Sequence, residues 1–228
     1  MARVGKFGDR REAGQLLAAK LGKYAQRPDV LVLALPRGGV PVAFEVAKAL
    51  NAPMDIFVVR KLGVPWEEEL AMGAIAPGGI RVLNEEIVSS MGIPNEVIEK
   101  VAEDEENELK RRENAYRGHT APPEVAGKTV IVVDDGIATG STMRSALVAL
   151  QQKHPARLVV AVPTAAASSF DELRNVADEI VAVITPEPFY AVGAWYRAFD
   201  QTSDDEVREL YRLRRNERLL NSTSAPNT

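Results

Sequence analysis

The stretch TVIVVDDGIATGSTMRSAL, residues 129–147, joins an apolar, largely β-branched run to two adjacent acids, Asp134 and Asp135, and then to a Thr-Gly-Ser-Thr cluster. The run TVIVV lacks polar alternation, the pattern of a strand covered on both faces. Two neighbouring carboxylates are costly to bury, so they belong where the strand leaves its sheet. Gly136 relieves crowding there, and residues 139–142 lead into a helix over 141–152. The free N–H groups of a helix N-terminus, with hydroxyls beside them, bind phosphate without a lysine. The acids repel phosphate but suit hydroxyl donors or a divalent cation. A ligand with phosphate at one end and a diol in the middle, a ribose 5-phosphate, satisfies both halves.

Outward from this stretch the chain alternates strand and helix signals. VLVLAL (30–35) is another unbroken apolar run, followed by the turn Pro36-Arg37-Gly38-Gly39 and a helix over 42–50; MDIFVV (54–59) is the next strand. This βαβ order predicts a parallel sheet. Further strands are expected at 158–162 and 180–183, with helices at 9–24, 94–117, 165–176 and 204–219. Residues 60–83 are irregular, and Gly78-Gly79 predicts a hairpin. The fold class is α/β, a mostly parallel sheet flanked by helices. One domain is expected over 1–220, with an insertion at about 60–120, an aromatic and helical C-terminal segment at about 185–220, and a disordered tail at 221–228. Ligands of such sheets lie at the carboxyl ends of the strands.

Composition narrows the function. The 228 residues include no cysteine and two histidines, His119 and His154, which removes disulfides, thiolate sites and multi-histidine metal sites. Both histidines read as surface turn residues. The net charge of −4 argues against nucleic acid as the main partner. No apolar run approaches the roughly 20 residues that span a bilayer, so a soluble, cytoplasmic protein with no membrane partner is expected. Gly-x-x-x-x-Gly-Lys-Ser/Thr, Gly-x-Gly-x-x-Gly after a strand and Gly-x-Ser-x-Gly are all absent, which disfavours P-loop, dinucleotide and serine-hydrolase chemistry.

VIVVDDGIATGST resembles the 5-phosphoribosyl-1-pyrophosphate (PRPP) motif of type I phosphoribosyltransferases, with Gly136 where an aliphatic residue is usual. The resemblance implies that Asp134 and Asp135 act at the ribose hydroxyls and that Ala138, Thr139, Gly140, Ser141 and Thr142 cradle the 5-phosphate. It also implies Mg²⁺, held mainly by substrate oxygens with Asp134 and Asp135 near it directly or through water. LPRGG (35–39) is similar to the family's pyrophosphate loop, which assigns Arg37, Gly38 and Gly39 to pyrophosphate. VVRKLGVP (58–65) resembles the Arg-Lys-x-Gly stretch of adenine-type members, placing Arg60 and Lys61 at pyrophosphate, Lys61 also in catalysis, and residues 66–69 in a covering loop. One of Glu67, Glu68 or Glu69 faces either the reacting ribose or solvent.

The acceptor stays open. Members acting on 6-oxopurines carry Asp immediately before Thr-Gly, where this chain has Ala138, and the Lys-x-x-x-Lys-x-His-Gly run of orotate enzymes is missing. The stretch TPEPFYAVGAWYRAFDQ (185–201) offers Phe189 and Tyr190 as base-side candidates, along with Trp195, Tyr196 and Phe199. Aromatic faces stack on heterocycles and equally make core or dimer contacts. The implied activity is Mg²⁺-dependent transfer of a phosphoribosyl group to a nitrogenous base by a homodimer; the alternative is a PRPP- or nucleotide-binding regulatory protein on the same fold.

Overall fold

Strands β1 (Val30–Ala34), β2 (Met54–Ile56), β6 (Thr129–Val133), β7 (Arg157–Thr164) and β8 (Glu179–Ile184) form one parallel sheet in the order β2-β1-β6-β7-β8. The computed structural model describes residues 5–118 and 120–223, without the side chains of residues 68, 69 and 218–223. His119 and residues 224–228 of the expected tail lie outside the described residues; residues 221–223 belong to a helix.

The unbroken apolar runs are explained by packing on both faces. Val30, Val32, Ala34, Ile131, Val133, Val159 and Ala161 point into one core with the helices α1 (Arg10–Lys20), α2 (Gly39–Leu50), α4 (Asn95–Arg117) and α7 (Asp204–Thr223). The alternate residues Leu31, Leu33, Val130, Val132, Leu158 and Val160 point into a second core with α5 (Ser141–Gln151) and α6 (Ala167–Leu173). Alternating Cβ direction along each strand gives both cores their own set of side chains.

The chain leaves β1 through α2 toward β2 on one side, and leaves β6 through α5 toward β7 on the other. With right-handed crossovers, these opposite directions put α2 and α5 on opposite faces. The carboxyl ends of β1 and β6 therefore flank the switch point where ligands of open α/β sheets bind.

Residues 60–83 are more regular than their sequence suggests. They build a separate antiparallel sheet from β3 (Arg60–Val64), β4 (Glu67–Ala76) and β5 (Ile80–Leu83). The expected hairpin is β4–β5; Gly78 and Gly79 both take positive φ (90° and 75°), which residues with a Cβ rarely adopt. Two expectations change here. The strand at 54–59 stops at Ile56, so Arg60 and Lys61 open β3 rather than close a strand of the main sheet. Residues 67–69 start β4 instead of forming a covering loop, leaving Pro65-Trp66 as the turn. A short α3 (Glu85–Ser90) leads to α4. Among the described residues no helix is long and apolar enough to cross a membrane.

Candidate functional site

The two loops at the switch point touch. Leu35 N–H donates to the Val133 carbonyl (2.9 Å), binding the turn after β1 to the end of β6. Pro36-Arg37-Gly38-Gly39 then passes directly over the acids, with a cis peptide at Pro36–Arg37. A Cβ on Gly38 would stand 2.0 Å from Asp135 Oδ2, and one on Gly39 would stand 2.7 Å from the Val133 carbonyl oxygen and 2.9 Å from Asp134 Cα. Only glycines allow this approach. Arg37, half-exposed, points its guanidinium toward Asp204 at the start of α7, 3.7 Å away.

Asp134 and Asp135 are half-buried at the end of β6. Asp134 Oδ1 accepts from the Asp135 N–H (2.8 Å), and Asp135 Oδ2 accepts from Arg10 Nε (2.8 Å). Burial raises the Asp134 carboxyl well above the usual carboxylate range, and the charge of Asp135 adds to it. Asp135 is also raised, by burial, against which the Arg10 guanidinium works. One guanidinium faces two carboxylates, so the pair lacks one positive charge. That deficit suits hydroxyl donors or a cation arriving with a ligand. Among the described residues no group of three or more His, Cys, Asp or Glu could hold a metal by itself. A cation here would therefore draw most of its ligands from a substrate, with Asp134 and Asp135 completing the set.

The raised Asp134 has a consequence for stability. The folded state holds this proton more tightly than the unfolded chain, so stability falls as pH rises from the ordinary carboxylate range through the raised value, and stays reduced above it. Asp134→Asn keeps the oxygen that accepts from Asp135 N–H and removes the loss. The ligand-free variant should melt about 2–4 °C above the parent at pH 8, the size of an ordinary stabilising substitution, with the gap closing toward pH 4. Calorimetric melts across that range check it; a lower melting temperature at pH 8 would contradict the assignment.

Beyond the acids, Gly136 is hemmed in: a Cβ there would meet Val192 Cγ1 at 2.4 Å and Thr164 Cγ2 at 2.9 Å. A residue with a side chain does not fit there without moving Val192. Gly140, at φ 79°, then turns the chain into α5, and no side chain caps the helix. The first intrahelical donor is Arg144 N–H, to the Gly140 carbonyl (2.8 Å). The N–H groups of Ser141, Thr142 and Met143 thus have no intrahelical acceptor. Ala138, Thr139 and Thr142 are exposed beside them and Ser141 is half-buried, an arrangement that accepts an anion.

Arg60 and Lys61 divide. Arg60 Nε donates to Glu105 Oε2 of α4 at 2.6 Å, which commits its guanidinium to that helix. Lys61 is exposed, and among the described residues it has no ion-pair partner. Glu67 is exposed in β4. His154 sits exposed in a turn at φ 51°, as expected of a surface residue.

Within 185–201 the aromatic residues part company. Tyr196 is buried between Phe7 and Phe199 (ring centroids 5.3 and 5.0 Å), and its hydroxyl donates to the Asp135 carbonyl at 2.6 Å. Burial, and then the charge of Asp135, raise this phenol, so it stays protonated and donating. Phe199 carries the Arg10 guanidinium over its ring at 4.0 Å. These two rings are structural contacts, not free platforms. Trp195 is half-buried, and its indole N–H has no hydrogen-bond partner among the described residues. Phe189 is half-buried and Tyr190 is 83% exposed, so both remain accessible.

Sequence reasoning missed Arg10. A signal existed: Arg10 occupies the first position of α1, behind the N-cap Asp9, where the helix dipole disfavours a cation. An arginine there calls for an acidic partner, and Asp135 supplies it.

The sequence model of the phosphoribosyl transferase domain family matches residues 10–193. Two curated proteins of Mycobacterium tuberculosis, Rv0571c of strain H37Rv and MT0597 of strain CDC 1551, are each 45% identical over 201 residues; their names mark them provisionally as phosphoribosyl transferases. The match covers 88% of this chain and 45% of each relative, so the chain spans about half their length. The crystal structure of TT1426 from Thermus thermophilus superimposes with a TM-score of 0.82 at 39% identity, covering 90% of this chain and 97% of that one.

Proposed function

The chain belongs to the phosphoribosyl transferase domain family, and from that premise we propose that it is a Mg²⁺-dependent enzyme that moves the 5-phosphoribosyl group of PRPP to a nitrogenous base and releases pyrophosphate. The carrying observation is the meeting of the acid pair, the uncapped N-terminus of α5 and the Gly38-Gly39 turn at one switch point.

In this reading the N–H groups at 141–143 and the hydroxyls of Thr139, Ser141 and Thr142 hold the 5-phosphate. Asp134 and Asp135 accept from the ribose 2′- and 3′-hydroxyls. The turn at 37–39 lies against the leaving pyrophosphate, where Gly38 and Gly39 let the main chain approach and Arg37 supplies a fork of donors. The bond from ribose C1 to pyrophosphate oxygen breaks as a bond from C1 to a base nitrogen forms, and the proton on that nitrogen passes to the departing pyrophosphate or to solvent. Because the transition state is oxocarbenium-like, the protein contributes positioning and charge more than covalent chemistry. Bound Mg²⁺ supplies charge neutralisation at pyrophosphate, and the charge deficit of the acid pair fits it. Phe189 and Tyr190 are the accessible candidates on the base side.

The proposal extends to a single working unit over residues 1–220, cytoplasmic residence and a homodimer, without nucleic acid or membrane as partner. The test of the activity is pyrophosphate release from PRPP and Mg²⁺ over a panel of purines, pyrimidines and small amines. Lys61→Ala tests the pyrophosphate side: turnover should fall by about 10²-fold, the usual cost of one transition-state donor, with little change in 5-phosphate binding. A variant as active as the parent refutes that role.

A PRPP- or nucleotide-binding regulator is the other reading. It is favoured by the commitment of Arg60 to Glu105 and the tilt of Arg37 toward Asp204, which leave fewer cations for pyrophosphate. Tight PRPP binding without release for any acceptor would select it.

A further inference from the structure

Residues 7–10 and the segment 195–200 ahead of α7 meet over the acid pair. Phe7 N–H donates to the Trp195 carbonyl (2.9 Å), Arg197 N–H to the Phe7 carbonyl (2.9 Å) and Ala198 N–H to the Gly8 carbonyl (3.0 Å). This strap carries Tyr196, Phe199 and Asp200 to Arg10. Arg10 makes three contacts there: Nε on Asp135 Oδ2 (2.8 Å), Nη1 on the Asp200 carbonyl (2.7 Å), and its guanidinium carbon 4.0 Å from the centre of the Phe199 ring. Its side chain is 13% exposed and that of Asp135 15%. A planar fork bonded at two edges and stacked on one ring cannot swing freely.

Asp135 has two further neighbours. Tyr196 holds its carbonyl from one side (2.6 Å), and the Gly38 turn passes so close on another that a Cβ there would collide with Oδ2. Oδ2 is the oxygen that Arg10 holds, so the orientation of the whole carboxylate, Oδ1 included, follows Arg10. Tyr196, Phe199 and Asp200 all lie beyond residue 193, where the family match ends. The strap is thus an addition to what the family match describes, and it bears directly on one carboxylate of the site.

We propose that Arg10 is the positioning residue for Asp135: anchored by the strap, it holds that carboxylate in the one orientation that accepts a sugar hydroxyl, and so governs discrimination between ribose and deoxyribose phosphates. This rests on the diol-binding reading of the acids. The strap and the acid pair then work as one element. A sugar lacking a hydroxyl leaves a buried acceptor unpaired, and the site rejects it only when that acceptor cannot turn away.

The test is titration calorimetry of the full chain with ribose 5-phosphate, 2-deoxyribose 5-phosphate and inorganic phosphate, for the parent, Arg10→Gln and Arg10→Lys, with melting temperatures alongside. The parent should prefer ribose 5-phosphate over the deoxy sugar by at least about tenfold. Arg10→Gln should bring that ratio close to one while inorganic phosphate binds as in the parent. Arg10→Lys keeps the charge but not the fork; it should retain part of the ratio, and it stands in should the glutamine variant fail to fold. A merely structural arginine would move the melting temperature and leave the ratio of the folded protein alone; that outcome overturns the inference while the diol reading survives. A parent that does not discriminate overturns both.

Discussion

Asp135→Asn is expected to weaken PRPP binding by about 10²-fold or more, with the fold retained. A hydrogen bond to a charged acceptor contributes about 1.5–3 kcal/mol, roughly twice a neutral one. The amide also presents a donor where the sugar hydroxyls and Arg10 themselves donate. The fold survives because the side chain sits past the end of β6, at the edge of the core and not within it. Losing the Arg10 ion pair costs stability, but removing the Asp135 charge that helps to raise Asp134 returns some of it. Arg10 keeps the Asp200 carbonyl and the Phe199 ring, and Tyr196 still donates to the main-chain carbonyl of residue 135. Calorimetry with PRPP and Mg²⁺ decides: equal affinity in variant and parent would take Asp135 out of the site.

How much of this was legible in the sequence follows from the range of the contacts. The strands at 30–34 and 129–133 were readable because a strand covered on both faces needs an apolar residue at every position, a local pattern. The strand–loop–helix order over 129–151 was readable for a similar reason: strand end, acids, small residues and helix start are all contiguous. The sheet formed by β3, β4 and β5 was not, since its glycines and bulged register between Leu62 and Val64 erase the alternation that marks a half-buried strand. The place of Arg60 and Lys61 failed with it: the run MDIFVV stays buried through Val58, although sheet pairing as a strand stops at Ile56. Arg10 reaches across 125 residues to Asp135, and Tyr196 across 61. No local pattern encodes such pairs. The aromatic stretch at 185–201 was ambiguous for the same reason, because whether a ring is a platform or a wedge depends on who covers its faces.

The two glycines of the turn after β1 should separate function from stability. Gly38 has φ −61° and ψ −30°, a region alanine adopts freely, and it is the N-cap of α2, where glycine and alanine differ modestly. The three nearest atoms that a methyl group meets there all belong to the Asp135 carboxylate, with Oδ2 at 2.0 Å and Cγ at 2.6 Å. That carboxylate ends a short, rotatable side chain, so it swings aside at small cost to the fold. Swinging aside breaks the contact with Arg10 and removes the acceptor from the sugar. Gly38→Ala should therefore melt within about 2 °C of the parent, the range of substitutions that spare the core, and yet bind PRPP at least about tenfold more weakly. In an Asp135→Asn background the same substitution should cost far less, the non-additivity expected of two residues acting through one contact. At Gly39 the methyl meets main chain instead, the Val133 carbonyl oxygen at 2.7 Å and Asp134 Cα at 2.9 Å. Main chain at the end of a central strand does not swing aside, so Gly39→Ala should lose about 1–3 kcal/mol of stability by overpacking. Melting and binding measured on both variants check the contrast: unchanged PRPP affinity in Gly38→Ala would mean that the carboxylate serves the sugar from another rotamer, and the wedge between Arg10 and the turn would then not be what aims it.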